Sequence, residues 1–229
     1  MKLVLLPGMD GTGILFEPLL KVLPESLSPV VVSYPGDVAL SYSELLQRVE
    51  ANLPSTEPFI VLGESFSGPI ALRVAASCPA RLKGIVLCAS FASNPVRLFP
   101  SVCQSLIRPF IFSLRFLGLR AALAGYSSPS LLEMVREANR AVTPEVLAAR
   151  ARAIVVVNAE DALAACNYPI LYLAGSADRV VPKRNYERIK TINQSVKLVV
   201  LPAPHLVLQA APAEAARAIT EFAASVSAG

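Results

Sequence analysis

The stretch Val61-Leu62-Gly63-Glu64-Ser65-Phe66-Ser67-Gly68 decides the fold. An apolar run leads into its Gly-x-Ser-x-Ser-Gly motif, and the helical pattern Pro69-Ile70-Ala71-Leu72-Arg73 follows. A strand, a tight turn and a helix in this order are typical of a nucleophile elbow, which exposes a serine hydroxyl. The turn needs small residues two positions before and after the serine, and Ser67 takes the second position, where glycine is usual. We predict Ser65 as a nucleophile; the alternative is an ordinary Ser/Gly turn.

Six short runs in the chain are rich in residues that favour β-strands: Leu3–Leu6, Val30–Tyr34, Phe59–Leu62, Gly84–Cys88, Ile170–Leu173 and Val196–Leu201. Most are continuously apolar, which is typical of strands that are covered on both faces. Helical patterns lie between them, at Phe16–Leu23, Tyr42–Asn52, Gly68–Ser77, Lys183–Ile192 and Pro212–Ser225. Because strands and helices alternate, we predict an α/β fold: a mostly parallel six-stranded sheet flanked by helices, with right-handed crossovers.

Residues 94–164 interrupt this alternation, because no convincing strand occurs between the fourth and fifth predicted strands. Helices are predicted there instead, at Pro100–Leu117, Ser130–Asn139 and Thr143–Val157. A segment of roughly 70 residues is long for a connection, and such insertions often cover an active site. We therefore divide the chain into a core, residues 1–93 and 165–229, and a helical cap or lid, residues 94–164.

Apolar residues of this cap predict a substrate pocket above Ser65. Leu106, Phe110 and Leu114 stand at helical spacing and are the candidates to line it. Two alternatives stay open: a cap that only packs on the core, and a lid that faces lipid.

A nucleophilic serine needs a base, and the only histidine of the chain is His205, directly after the last predicted strand. Ligands of open α/β sheets bind at the carboxyl ends of the strands, so this position favours a base over a structural histidine. Asp178 follows the preceding strand, and the chain order serine, acid, histidine matches a known arrangement. We predict that His205 activates Ser65 and that Asp178 orients His205. The alternative for Asp178 is a turn residue paired with Arg179, in which case Asp161 or Glu64 would be the candidate acid.

The loop Leu6-Pro7-Gly8-Met9-Asp10-Gly11-Thr12-Gly13 follows the first predicted strand. Its three glycines allow conformations that point N–H groups inward, where they stabilise the negative oxygen formed when a carbonyl is attacked. We predict the backbone N–H groups of Met9 and Phe66 as this oxyanion hole. A phosphate-binding loop is the alternative, but the glycines are spaced differently and no Gly-Lys-Ser/Thr follows.

Composition excludes several other classes of protein. Hydrophobic residues make up 54% and charged residues 17% of the 229 residues, which excludes a disordered chain. The net charge of +4, without a dense run of lysine or arginine, gives no support for nucleic-acid binding. The most apolar segment, residues 103–125, contains three arginines, so we predict no integral membrane segment.

The cysteines and the N-terminus indicate the compartment. The four cysteines lack the CxxC spacing, so we predict reduced thiols in a cytoplasmic protein. The first apolar run is too short for a signal peptide and is predicted as the first strand. With one histidine and scattered cysteines we expect no metal site, and the predicted chemistry requires no cofactor.

These residues resemble those of the α/β-hydrolase superfamily over essentially the whole chain. The segments Leu6–Gly13 and Gly63–Gly68 look like those of a bacterial subgroup of small hydrolases. They are also similar to the C-terminal part of plastid phytyl ester synthases, which are acyltransferases. The resemblance implies a chain that begins at the family's third strand, with Ser65, Asp178 and His205 as the triad and with the same two oxyanion donors.

The sequence departs from the family at one position of the oxyanion loop. Many members have His-Gly where this chain has Pro7-Gly8, which leaves Asp10 open as an alternative donor to Met9. A serine at position 65, where dehalogenases and epoxide hydrolases have aspartate, argues against those branches. Glu64, beside the serine, could tune the site or could be a buried structural acid.

These features together predict a serine esterase. It would cleave carboxylic esters with short to medium apolar acyl groups through an acyl-enzyme, and its partner would be a small-molecule ester. Thioester hydrolysis and acyl transfer use the same machinery and stay open. An alternative of another class is a catalytically silent α/β-hydrolase-fold protein that serves as a ligand receptor.

Overall fold

The computed structural model describes residues 1–95, 107–109, 123, 125–126 and 128–227. Its strands are β1 (Lys2–Leu6), β2 (Ser28–Val31), β3 (Phe59–Glu64), β4 (Leu82–Cys88), β5 (Ile170–Gly175) and β6 (Lys197–Leu201). They form one sheet in the order β2-β1-β3-β4-β5-β6, and every neighbouring pair is parallel. The predicted six-stranded α/β fold is confirmed.

The helices follow the strands in the alternation that the sequence predicts. They are α1 (Glu17–Leu20), α2 (Tyr42–Glu50), α3 (Gly68–Ala76), α4 (Pro129–Arg140), α5 (Pro144–Val156), α6 (Glu160–Ala164), α7 (Arg184–Ile192), α8 (Val207–Ala210) and α9 (Pro212–Ser227). The helix predicted at Phe16–Leu23 is shorter than expected, because a 3₁₀ turn, Ile14–Phe16, occupies its start. The predicted helix also runs to Leu23, directly before Pro24, and a residue before proline is disfavoured in a helix. Helix α1 ends earlier, at Leu20.

Apolar side chains cover both faces of the sheet. Successive side chains of a strand point to opposite faces, so Val4 and Leu6 pack on one face and Leu3 and Leu5 on the other. Helices α2, α3, α6 and α7 contribute to the first of these cores, and α1, α8 and α9 contribute to the second. The central strands therefore carry the continuous apolar runs that a sheet buried on both sides requires.

The two edge strands differ from the prediction. Val31 in β2 is 37% exposed and Val200 in β6 is 53% exposed, so the apolar runs there are not covered on both faces. An edge strand has a neighbour on one side only, and the helices cover it less completely. The run predicted at Val30–Tyr34 also pairs with β1 from Ser28 and leaves the ladder after Val31.

Helices α4, α5 and α6 lie between β4 and β5. Helix α4 packs on the 3₁₀ turn that follows β1, through a small cluster that contains Leu15, Leu131 and Val135. Thr143 caps α5 by accepting the N–H of Val146, as its helix-start pattern predicts. The helix predicted at Pro100–Leu117 lies almost wholly outside the described residues. Within the described part of the chain, no helix combines the length and the apolar character needed to span a membrane.

Candidate active site

Ser65 lies at the sharp turn between β3 and α3. Its φ angle is +47°, in the left-handed region that non-glycine residues rarely adopt, and such strain clusters at functional sites. The turn leaves no space for larger neighbours. A Cβ atom on Gly63 would lie 2.6 Å from the carbonyl oxygen of Ser67, and one on Gly68 would lie 1.8 Å from Ser90 Oγ. Glycine is thus required at position 63 by the elbow backbone and at position 68 by the neighbouring Ser90.

Three side chains hold the backbone on either side of the Ser65 hydroxyl. Ser90, directly after β4, donates its hydroxyl to the carbonyl of Ser65 over 2.5 Å, and Tyr172 donates to the carbonyl of Ser90 over 2.6 Å. Tyr42 donates to the carbonyl of Phe66 over 3.0 Å, and its ring stacks on the Phe66 ring. No local sequence pattern marks these supports, because each comes from a distant part of the chain.

The structure brings Ser65, His205 and Asp178 together in one hydrogen-bonded chain. His205 Nε2 lies 3.0 Å from Ser65 Oγ, and His205 Nδ1 lies 2.9 Å from Asp178 Oδ2. An ionised carboxylate only accepts hydrogen bonds, so Nδ1 carries the proton and Nε2 is left to accept one from the serine hydroxyl. His205 is buried, whereas Ser65 and Asp178 are half-buried; the side chain of Asp178 is only 8% exposed.

Asp178 is held by backbone groups of its own turn. Its Oδ1 atom accepts the N–H groups of Val180 and Val181 over 2.8 and 2.9 Å, which leaves Oδ2 for His205. Among the described residues Asp178 forms no ion pair with Arg179, the alternative that the sequence left open. Its carboxylate therefore has a single orientation toward the imidazole.

The ends of β5 and β6 set the distance between the acid turn and the histidine turn. The N–H of Ser176 donates to Leu201 and the N–H of Ala177 donates to Ala203. A Cβ atom on Gly175 would lie 2.2 Å from the carbonyl oxygen of Pro204, so the two turns touch at backbone level. Asp178 and His205 each follow one of these paired segments and meet for that reason.

Ser67 connects the elbow to the loop that follows β1. Its buried hydroxyl donates to the carbonyl of Pro7 and accepts a hydrogen bond of 2.7 Å from the hydroxyl of Tyr34. Glycine, the usual residue here, could not form this bridge. The serine at position 67 is therefore more than a tolerated small residue, because it links the two segments that carry Met9 and Phe66.

The backbone N–H groups of Met9 and Phe66, the predicted oxyanion donors, lie on these two linked segments. In the part of the chain that the structure describes, neither N–H donates to another backbone carbonyl. The loop itself is closed by a hydrogen bond of 3.0 Å from the N–H of Gly11 to the carbonyl of Gly8. Asp10 stabilises the next turn by accepting the N–H and the hydroxyl of Thr12.

Arg150 on α5 reaches the same loop and was not identified from the sequence. Its side chain is 1% exposed. The guanidinium donates to the carbonyls of Met9 and Asp10 over 2.9 and 2.7 Å, and to the carbonyl of Pro35 over 2.8 Å. Burial lowers the pKa of this guanidinium below its ordinary value. A signal was present, because Arg150 falls on the helix face that contains the buried Val146 and Leu147.

Glu64 is buried beneath the elbow. Its Oε1 atom accepts a hydrogen bond of 3.0 Å from Gln209, which also donates to the carbonyl of Leu15. Burial raises the pKa of the Glu64 carboxyl from 4.5 to about 7, so a fraction of the molecules carry a neutral acid at neutral pH. The network joins the elbow to α8, the helix that begins two residues after His205.

The remaining predictions concern metals and the substrate pocket. Among the described residues, no group of three histidine, cysteine or acidic side chains could hold a metal ion. Leu106, Phe110 and Leu114, the predicted pocket residues, lie outside the described residues. Asp161, an exposed residue of α6, is not part of the hydrogen-bonded chain around His205.

The six-stranded parallel sheet flanked by helices is consistent with the alpha/beta hydrolase fold, and a family model agrees. The model of the alpha/beta hydrolase family matches residues 3–218. The chain belongs to this family.

Curated relatives and solved structures with the same fold include esterases. The chain is 29% identical over 200 residues to a pimeloyl-[acyl-carrier protein] methyl ester esterase of Vibrio parahaemolyticus, which covers 79% of this chain and 77% of the relative. A thermophilic esterase from Thermogutta terrifontis superposes with a TM-score of 0.82 at 20% identity, covering 99% of this chain and 90% of that one. A hydrolase from Pseudomonas aeruginosa PA01 gives 0.80 at 21% identity, covering 96% and 89%.

Proposed function

We propose that the protein is a serine hydrolase that cleaves carboxylic esters through an acyl-enzyme. The observation that carries this proposal is the hydrogen-bonded chain from Ser65 through His205 to Asp178 at the carboxyl ends of β3, β5 and β6. In the first half-reaction Ser65 Oγ attacks the ester carbonyl carbon while His205 Nε2 takes the hydroxyl proton. The imidazolium then returns that proton to the alkoxy oxygen, and the alcohol leaves.

Water completes the cycle. His205 removes a proton from a water molecule, whose oxygen attacks the acyl carbon and releases the acid, while Ser65 Oγ recovers the proton. Asp178 holds the imidazole in the required tautomer and stabilises its charged form. None of these steps needs a cofactor.

Backbone N–H groups of Met9 and Phe66 are the proposed oxyanion donors, with Asp10 as the alternative to Met9. Support comes from the Ser67 hydroxyl, which joins the loop at Pro7 to the elbow. Fixed donors aimed at the developing charge stabilise the tetrahedral intermediate without reorganisation.

Exchange of Asp178 for asparagine tests the third member of the proposed triad. Asparagine can present an N–H to His205 Nδ1 and so favour the wrong tautomer, and we expect kcat to fall about 10²- to 10⁴-fold. The matched control is Asp161→Asn on the exposed side of α6, which should keep kcat within about twofold of wild type. A nearly silent Asp178→Asn variant would place the acid elsewhere, with Glu64 the next candidate.

Residues 94–164 are proposed as a cap that lines an apolar acyl pocket. Helices α4 and α5 support this placement, because α4 packs beside the loop after β1 and α5 reaches it through Arg150. Burial of an alkyl chain contributes about 0.8 kcal/mol per CH₂. We therefore expect kcat/KM to rise by up to about fourfold per methylene and to peak at short or medium acyl chains.

A series of p-nitrophenyl esters from acetate to palmitate measures this profile. A flat profile from acetate to octanoate would assign the cap a structural role only. A maximum at palmitate, with activation at an oil–water interface, would instead support the lipid-facing lid.

Thioester hydrolysis and acyl transfer are the second candidate function on the same triad. The resemblance of the sequence to phytyl ester synthases, which are acyltransferases, supports this candidate, whereas the curated relatives are named methyl ester esterases. An acyl-CoA and an acceptor alcohol added to the ester series distinguish the three reactions by their products. A ligand receptor without activity is the remaining alternative, and the complete hydrogen-bonded chain at Ser65 argues against it.

The unpaired thiols of Cys88 and Cys166 support a cytoplasmic location.

A further inference from the structure

We infer that Arg150 is a positioning residue for the oxyanion loop: its guanidinium holds the backbone carbonyls of Met9 and Asp10. It thereby sets the direction of the Asp10 N–H directly, and that of the Met9 N–H through the turn that the Gly11 N–H closes on the Gly8 carbonyl. This inference deepens the proposed function and rests on it. It assigns a role in ester cleavage to a side chain that belongs to the segment between β4 and β5.

The direction of the N–H groups follows from peptide geometry. In a trans peptide the C=O and the N–H point in opposite directions. The carbonyl of Gly8 is directed at the N–H of Gly11, which fixes the peptide that carries the Met9 N–H. The carbonyl of Met9 is directed at Arg150, so the N–H of Asp10 points away from the guanidinium. The closed turn therefore fixes the Met9 N–H, and the Arg150 side chain fixes the Asp10 N–H.

The loop is shaped to receive this side chain. Gly11 has a φ angle of +73°, and a Cβ atom there would lie 2.5 Å from Nη1 of Arg150. The guanidinium occupies the space that a side chain at position 11 would need. On its other side Arg150 lies over the ring of Tyr34 at 5.7 Å, and the Tyr34 hydroxyl bonds to Ser67 in the elbow. Arg150 thus contacts the loop after β1 directly and is connected to the elbow through Tyr34. These are the two segments of the proposed oxyanion hole.

The contacts of Arg150 differ from those of a structural ion pair. Within the described part of the chain it pairs with no carboxylate, and its partners are three backbone carbonyls, while its Nε atom has no partner. Desolvation of a charge is costly, and an apolar residue would pack a helix at lower cost. A positive charge held behind these peptides also favours negative charge on a nearby carbonyl oxygen.

The test compares Arg150→Met with a destabilised control that does not touch the loop. Loss of an oxyanion donor costs roughly 10²- to 10³-fold in kcat, and we expect a loss of about 10²-fold in Arg150→Met with KM changed less than threefold. Arg150→Lys retains the charge but not the fork of donors and should lose about tenfold. Leu163→Ala, in the buried face of α6, should keep kcat within about twofold at temperatures well below its Tm.

Amide hydrogen exchange at residues 9–11 provides a second measurement that does not depend on turnover. We expect faster exchange there in Arg150→Met and unchanged exchange in Leu163→Ala. If wild type cleaves no ester, the proposed function fails, while exchange still reports whether Arg150 holds the loop.

Three results would overturn the inference. Arg150→Met could keep kcat within threefold of wild type. Its loss of kcat could match that of Leu163→Ala at equal loss of Tm, which would make the role one of stability. Failure of both Arg150→Met and Arg150→Lys to fold would assign the residue to stability in the same way.

Discussion

The Ser65→Ala variant is expected to lose ester turnover by about 10⁴-fold or more while it retains the native fold. Alanine removes the hydroxyl oxygen that lies 3.0 Å from His205 Nε2, so the proposed acyl-enzyme cannot form. The remaining rate would come from the oxyanion donors and substrate binding alone. Steady-state kinetics on the preferred p-nitrophenyl ester, together with a thermal melt, measure both halves of this expectation.

Ser77→Ala is the matched control for this variant. Ser77 is an exposed residue that follows α3, and its hydroxyl donates to the carbonyl of Val74, so this second serine-to-alanine change should leave kcat within about twofold of wild type. A Ser65→Ala protein with more than a tenth of the wild-type rate would show that the elbow serine is not the nucleophile.

Replacement of His205 is expected to cost about as much as replacement of Ser65. The two groups act as a unit, because the serine hydroxyl is a poor nucleophile without a base at Nε2. The effects should therefore not add, and the double variant Ser65→Ala/His205→Ala should be no slower than either single variant by more than about threefold. Measured kcat values for the three variants complete this cycle.

The presence of one histidine in the chain allows a second check of the same residue. Diethyl pyrocarbonate should inactivate the wild-type enzyme with one carbethoxylated imidazole per chain, and hydroxylamine should restore activity. The His205→Ala protein should incorporate no carbethoxy group on imidazole. Full wild-type activity after complete modification would exclude His205 as the base.

Local sequence patterns predicted the sheet and the positions of the three triad candidates. The elbow could be predicted because Gly63, Ser65 and Gly68 lie within six residues of sequence. The small residues that allow the strained backbone of Ser65 belong to the same segment. Asp178 and His205 were predicted because each lies within five residues after the end of an apolar run. The strand order could not be predicted, because it depends on pairing between distant segments. The exposure of β2 and β6 follows from their place at the edges of the sheet, so it could not be predicted either.

The supports of the site were missed for the same physical reason. Ser90, Tyr172 and Arg150 act on backbone carbonyls, which every residue type carries, so their partners leave no mark in the sequence. Arg150 alone left a detectable sign, a charged residue on the buried face of its helix. The sequence motif indicates only that Ser67 is small, whereas in the structure its hydroxyl has two hydrogen-bond partners.

The contacts of the site join residues that are far apart in the sequence, which has a consequence for folding during synthesis. The bond between His205 and Ser65 spans 140 residues, that between Arg150 and Met9 spans 141, and that between Gln209 and Leu15 spans 194. Contacts of such separation close late, because the chain loses the entropy of large loops before they form. On the ribosome, β1 and the elbow emerge long before the histidine turn. A nascent chain would therefore hold Ser65 without its proposed base, and the proposed activity would arise only when synthesis has passed residue 205.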